Sequence, residues 1–103
     1  MEPLSRVTEA TVAVLEVLTA SGAPCWGLRI IKASGKPAGS VYPILDRLEA
    51  AHWVTSEWEE NAERSGPRRR YYELTEGGGR AAVSAIRTFR SARPAPTATV
   101  VTP

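Results

Sequence analysis

A mainly α-helical chain with one small antiparallel β-hairpin is the fold class predicted by this 103-residue sequence. Three observations predict it. Apolar residues recur at helical spacing in several separate stretches, two short stretches near the middle alternate in type, and clusters of Gly, Pro and Ser punctuate the chain between them. Thr8 is placed to cap a first helix running to about Thr19 or Ala20, with Val7, Val14, Leu15 and Leu18 as its apolar stripe and Glu9 suited to the first-turn dipole. Ser21-Gly22-Ala23-Pro24 ends it. A short second helix, about Trp26 to Ala33, is expected to carry Leu28 and Ile31 inward, and Ser34-Gly35-Lys36-Pro37 then turns the chain.

The third helix, from about Gly39 to Trp53, has the cleanest separation of faces. Val41, Ile44, Leu45 and Leu48 form a buried i, i+3, i+4, i+7 stripe, while Lys36, Ser40, Pro43 and Arg47 line the opposite side. Pro43 is expected in the first turn, where its missing N–H matters least, and Ser40 is available as a cap. The exposed backbone N–H groups of such an abrupt start attract anions, phosphate among them. Val54, Ser56 and Trp58 then alternate with Thr55, Glu57 and Glu59. Arg70, Tyr72 and Leu74 alternate with Arg69, Tyr71 and Glu73. These are two strands of a hairpin whose connection, residues 61–67, is polar and too long for a tight turn. Arg64 and the run Arg68-Arg69-Arg70 put positive charge at or beside that tip, within reach of a nucleic-acid backbone. Thr75 caps a last helix in which Ala82, Val83, Ile86 and Phe89 repeat at helical spacing. Helix, helix, turn, helix, hairpin is the order of a winged helix-turn-helix, here followed by a C-terminal dimerisation helix.

At this point the chain resembles the PadR-like transcriptional regulators. The resemblance rests on Trp26-Gly27, on Gly39-Ser40-Val41-Tyr42-Pro43, and on Leu45-Asp46-Arg47-Leu48-Glu49. The wing is similar as well, with Trp58-Glu59, Arg69-Arg70-Tyr71-Tyr72, and Leu74-Thr75-Glu76 leading to Gly78 or Gly79. It implies a cytoplasmic dimeric repressor, often of genes for stress responses or for disposal of small molecules. Two features depart from the pattern. Gly77-Gly78-Gly79 weakens the start of the last helix by roughly 1 kcal/mol per Gly relative to Ala, and that helix is shorter than the C-terminal domain of many relatives.

Composition agrees without deciding. Thirteen Lys and Arg against eleven Asp and Glu leave a net charge of only +2, so attraction to nucleic acid must come from local clustering. A single cysteine, Cys25, excludes an intrachain disulfide, and neither it nor His52 has a second Cys or His to complete a metal site or a catalytic pair. Neither catalysis nor a cofactor is expected. The start Met-Glu-Pro-Leu-Ser-Arg lacks the apolar run of a secretory signal, and no stretch is long enough to span a membrane. Residues 1–92 read as the winged-helix unit with its terminal helix, and residues 93–103, rich in Pro, Thr, Ala and Val, as a disordered tail.

The expected function is sequence-specific DNA binding at a palindromic operator through Lys36, Ser40, Tyr42, Arg47, Arg64, Arg68, Arg69 and Arg70. Val7, Val14, Val83, Ile86 and Phe89 are the expected dimer interface. The partners are double-stranded DNA, a second copy of the chain and, where an effector exists, a small aromatic or hydrophobic one. Blander readings stay open: Trp26, Trp53 and Trp58 as packing rather than a ligand cage, Tyr42 as packing on the second helix, and the arginine run as a solvated strand edge. A winged helix that binds protein rather than DNA is the alternative function.

Overall fold

Thr8 begins the first helix by accepting the N–H of Thr11 on its side-chain oxygen, at 3.2 Å, and Gly22 ends it in the left-handed region with φ 62°. The computed structural model describes residues 2–4, 6–60, 66 and 68–92. Their order is α1 (Glu9–Ser21), β1 (Cys25–Trp26), α2 (Gly27–Ser34), α3 (Ala38–Ala50), β2 (Val54–Trp58), β3 (Arg70–Leu74) and α4 (Glu76–Ala92). The three strands form one antiparallel sheet in the order β1-β3-β2. This is the mainly helical winged helix-turn-helix that the sequence predicts. The expected tail, residues 93–103, and Arg64 lie outside the described residues.

The α3 stripe behaves as its spacing requires. Val41, Ile44, Leu45 and Leu48 are all buried, joined by Val14, Leu15 and Leu18 of α1, Ile30 of α2, Tyr72 of β3 and Ala82 of α4. Fully burying a side chain such as Leu45 contributes about 1.5–3 kcal/mol, so this one cluster holds every element in register. The helix closes with Trp53 N–H donating to the Leu48 carbonyl and His52 N–H to the Glu49 carbonyl, with His52 itself at φ 66°. That bond pair is a Schellman closure with histidine in the place glycine usually takes.

Several local expectations are corrected. α3 starts at Ala38 with Pro37 in the capping position and no side-chain cap, so Ser40 is not the cap and Pro43 lies inside the helix rather than in its first turn. The early start follows from the Pro37 carbonyl, which accepts the N–H groups of both Ser40 and Val41. In α2 the inward residue is Ile30, fully buried, while Leu28 is exposed and Ile31 half-buried. The 27/30 side of α2 faces α3, where a Cβ on Gly27 would lie 2.6 Å from the Tyr42 hydroxyl. Strand β1 carries no periodic signal because it has two residues, Cys25 opposite Tyr72 and Trp26 opposite Tyr71. Val14 has no exposed surface, being enclosed in the core of its own chain. It cannot contribute to a face between two copies.

The first and last helices pack against each other within one chain, tied by an ion pair between Arg90 and Glu16. Thr75 caps α4 by accepting the Gly78 N–H at 2.8 Å. Gly78 is required rather than weak: a Cβ there would collide with the Trp53 carbonyl. The N-terminal segment closes the same corner, since Glu2 N–H donates to the Ala51 carbonyl at 2.9 Å and Trp53 Nε1 donates to the Glu2 carbonyl at 2.6 Å.

Candidate nucleic-acid interface

Outside its buried stripe, α3 has two polar flanks. Ser40, Pro43 and Arg47 follow one another at i, i+3, i+7 on one flank, and Tyr42, Asp46 and Glu49 at i, i+4, i+7 on the other. The second flank faces the sheet. Glu49 Oε1 accepts from Arg70 at 3.0 Å and its Oε2 from the Ser56 hydroxyl at 2.6 Å, and Arg70 also donates to Ser56 Oγ through Nε at 3.0 Å and a terminal nitrogen at 2.8 Å. The root of the wing is thereby locked to α3 through both strands.

The hairpin register explains why these groups meet. Trp58 lies opposite Arg70, and Ser56 opposite Tyr72, so Ser56, Trp58, Arg70 and Tyr72 share the face that looks at α3. Arg70 sits 5.3 Å from the Trp58 ring centre and 5.7 Å from that of Tyr72. Burial pushes the Tyr72 hydroxyl pKa above its ordinary value, with Arg70 opposing the shift and Asp46 and Glu49 adding to it. On the opposite face Arg69 stacks 4.0 Å over the Trp26 ring. Arg68 donates to the Glu59 carbonyl through Nε at 3.0 Å and a terminal nitrogen at 2.9 Å.

The expected site residues therefore divide. Arg68, Arg69, Arg70 and Tyr42 line one cleft together with Trp26, Trp58 and Asp46. Arg47 lies elsewhere, beside Arg6, Leu4 and Thr11 at the start of α1. Lys36 and Ser40 are half-buried in the turn and first turn of α3; the Lys36 N–H donates to Ser34 Oγ at 3.2 Å. Reading the sequence alone missed Arg6, a second exposed cation next to Arg47, and Glu49, whose role depends on Arg70 arriving from a distant strand. No local pattern marks either. Of the three tryptophans, Trp53 is core, Trp26 is half-buried beneath Arg69, and Trp58 is 53% exposed. Tyr42 is 42% exposed, and its hydroxyl end packs against Gly27 of the second helix. Cys25 is a buried free thiol, its pKa raised by burial against the opposing pull of Arg29. Among the described residues no cluster of three His, Cys, Asp or Glu could hold a metal, and no helix is long and apolar enough to cross a membrane.

Residues 14–84, from the middle of α1 through the wing into α4, match the profile of the transcriptional regulator PadR-like family. The chain belongs to that family. It is a DNA-binding transcription regulator, not an enzyme, and the wing and α3 are the elements through which a winged helix engages duplex DNA. This PadR-like chain is similar in fold to a PadR family transcription regulator of Clostridium difficile R20291, with TM-score 0.67 at 24% identity over 82% of this chain and 91% of that one. A PadR-like transcription factor of Bacteroides fragilis gives TM-score 0.63 at 24% identity over 80% and 81%. BpsR of Bordetella bronchiseptica, a protein whose DNA binding is regulated by 6-hydroxynicotinic acid, gives TM-score 0.65 at 27% identity over 87% of this chain and 64% of that one. Among curated proteins no sequence matches.

Proposed function

We propose that this PadR-like chain is a dimeric repressor that reads a palindromic operator. The observation that carries the reading is the Ser40–Pro43–Arg47 flank of α3, which lies away from the buried stripe while the opposite flank is tied to the wing. In this arrangement α3 enters the major groove with Ser40, Arg47 and Tyr42 near base edges or phosphate, and Lys36, Arg68 and Arg69 hold flanking phosphates. Arg64, from the sequence between the two strands, is expected to join them. Arg70 contributes mainly by fixing the wing on Glu49. Two copies related by a twofold axis, meeting through Val83, Ile86 and Phe89 of α4 with Val7 ahead of α1, would engage half-sites about one helical turn, roughly 10 base pairs, apart. A small effector fits the same reading, since any ligand that binds one spacing of the two α3 helices better than another shifts the equilibrium.

The test is a fluorescence anisotropy titration on duplexes from the region upstream of the coding sequence. Neutralising about six to ten phosphates predicts an affinity loss of about 10³ to 10⁵ fold between 50 and 200 mM salt. Arg47→Ala should lose about 1–3 kcal/mol on the operator and less on random duplex. A flat salt response would favour a protein-binding winged helix instead.

A further inference from the structure

The segment ahead of α1 is anchored on both sides of Arg6. Glu2 N–H donates to the Ala51 carbonyl, Trp53 Nε1 donates to the Glu2 carbonyl, and Leu4 packs against the core; beyond Arg6, Thr8 caps α1. These ties strap the N-terminus against the C-terminal half of α3, where Leu4 and Arg6 meet Ile44, Arg47 and Leu48, with Thr11 of α1, around a small recess. No carboxylate lines it. Arg6 and Arg47 are both exposed, and neither has a carboxylate partner among the described residues. Two guanidinium groups on one recess with no acid between them repel, and an anion shared by them relieves that repulsion. Phosphate suits the guanidinium fork.

The recess lies on the Ser40–Pro43–Arg47 flank of α3, whereas the wing is tied to the other flank through Glu49 and Arg70. Cations therefore bracket the helix, Arg68 and Arg69 from the wing on one side and Arg6 from the strap on the other. A major groove is walled by two phosphate backbones, so a helix lying in it meets a row of phosphates on each side. We infer that the N-terminal strap is a third DNA-gripping element, in which Arg6 holds a backbone phosphate on the groove wall opposite the one held by the wing. The inference rests on the DNA-binding reading above. Arg6 is a positioning residue: a phosphate contact carries no sequence information, but it fixes how α3 lies in the groove and so where Arg47 meets base edges.

The test compares the parent chain with Arg6→Gln and Arg6→Lys on operator and random duplexes, titrated between about 50 and 200 mM salt. Arg6→Gln should lower affinity for both duplexes by the same factor, on the order of tenfold, and reduce the salt slope by about 0.9 for each chain bound. Arg6→Lys should keep the parent slope. Thermal unfolding of both variants should match the parent, because an exposed side chain without an ion-pair partner holds nothing in the fold. A scan of single methylphosphonate linkages along the operator then locates the contact. Neutral linkages that weaken the parent but leave Arg6→Gln indifferent should fall on one strand, and those that leave Arg68→Gln indifferent on the other. An unchanged slope in Arg6→Gln, a larger loss on operator than on random duplex, or both sets of linkages on the same strand would overturn the inference. A parent with a steep salt slope that Arg6→Gln shares overturns the strap contact alone, whereas a parent that binds no duplex overturns the DNA-binding reading together with it.

Discussion

Glu49 of α3 and Arg70 of β3 form a two-sided clamp: the carboxylate takes Arg70 on one oxygen at 3.0 Å and Ser56 on the other at 2.6 Å, joining the helix to both strands of the wing. Arg70 side-chain exposure is 37% and that of Glu49 is 34%, so solvent screens the pair substantially. A coupling of about 0.5–1 kcal/mol is expected for such a partly exposed pair. A double-mutant cycle of Glu49→Gln and Arg70→Gln in urea should recover that value and lose most of it at 1 M salt. Additive single losses would show that the contact does not hold the wing.

Gly78 and Gly79 are neighbours in α4 with opposite expected responses to alanine. At Gly79 an added Cβ meets nothing within 4 Å, so Gly79→Ala should stabilise the chain by about 0.5–1 kcal/mol through helix propensity and a less flexible unfolded state. At Gly78 the same change drives a methyl into the Trp53 carbonyl, forcing the start of α4 away from the α3–β2 corner. Thermal unfolding should show a higher midpoint for the first variant and a markedly lower one for the second. Equal shifts in the same direction would contradict the close approach.

Val83 is 46% exposed on α4, on a helix whose Ala82 is buried and whose Ile86 packs at the edge of the core. Under the proposed twofold arrangement, the exposed Val83 and the half-buried Phe89 belong to the surface that a second copy covers. Sedimentation should find a dimer at micromolar concentration, converted towards monomer by Val83→Asp or Phe89→Asp. Operator affinity should fall with it, because both half-sites must be engaged together. Val83→Asp is the cleaner variant, since it removes nothing from the protomer core. A wild-type monomer would refute the interface.

The chain's own letters determine its helices and its hairpin. Val41, Ile44, Leu45 and Leu48 are buried as their spacing demands, Thr8 and Thr75 cap the helices they precede, and the alternation of Ser56, Trp58, Arg70 and Tyr72 places them on one face of the sheet. Each of these depends on neighbours within about one helical turn or one strand repeat, a range over which side-chain periodicity is dictated by backbone geometry alone. The partners of those residues are another matter. That Arg69 stacks on Trp26, that Arg70 is held by Glu49, that Ile30 rather than Leu28 turns inward, and that Val14 belongs to its own core were decided only when distant segments met. The physical reason is that a guanidinium has equally good local alternatives in water, in a strand edge or on phosphate. Only the crossing of α3, β1 and β3 selects among them.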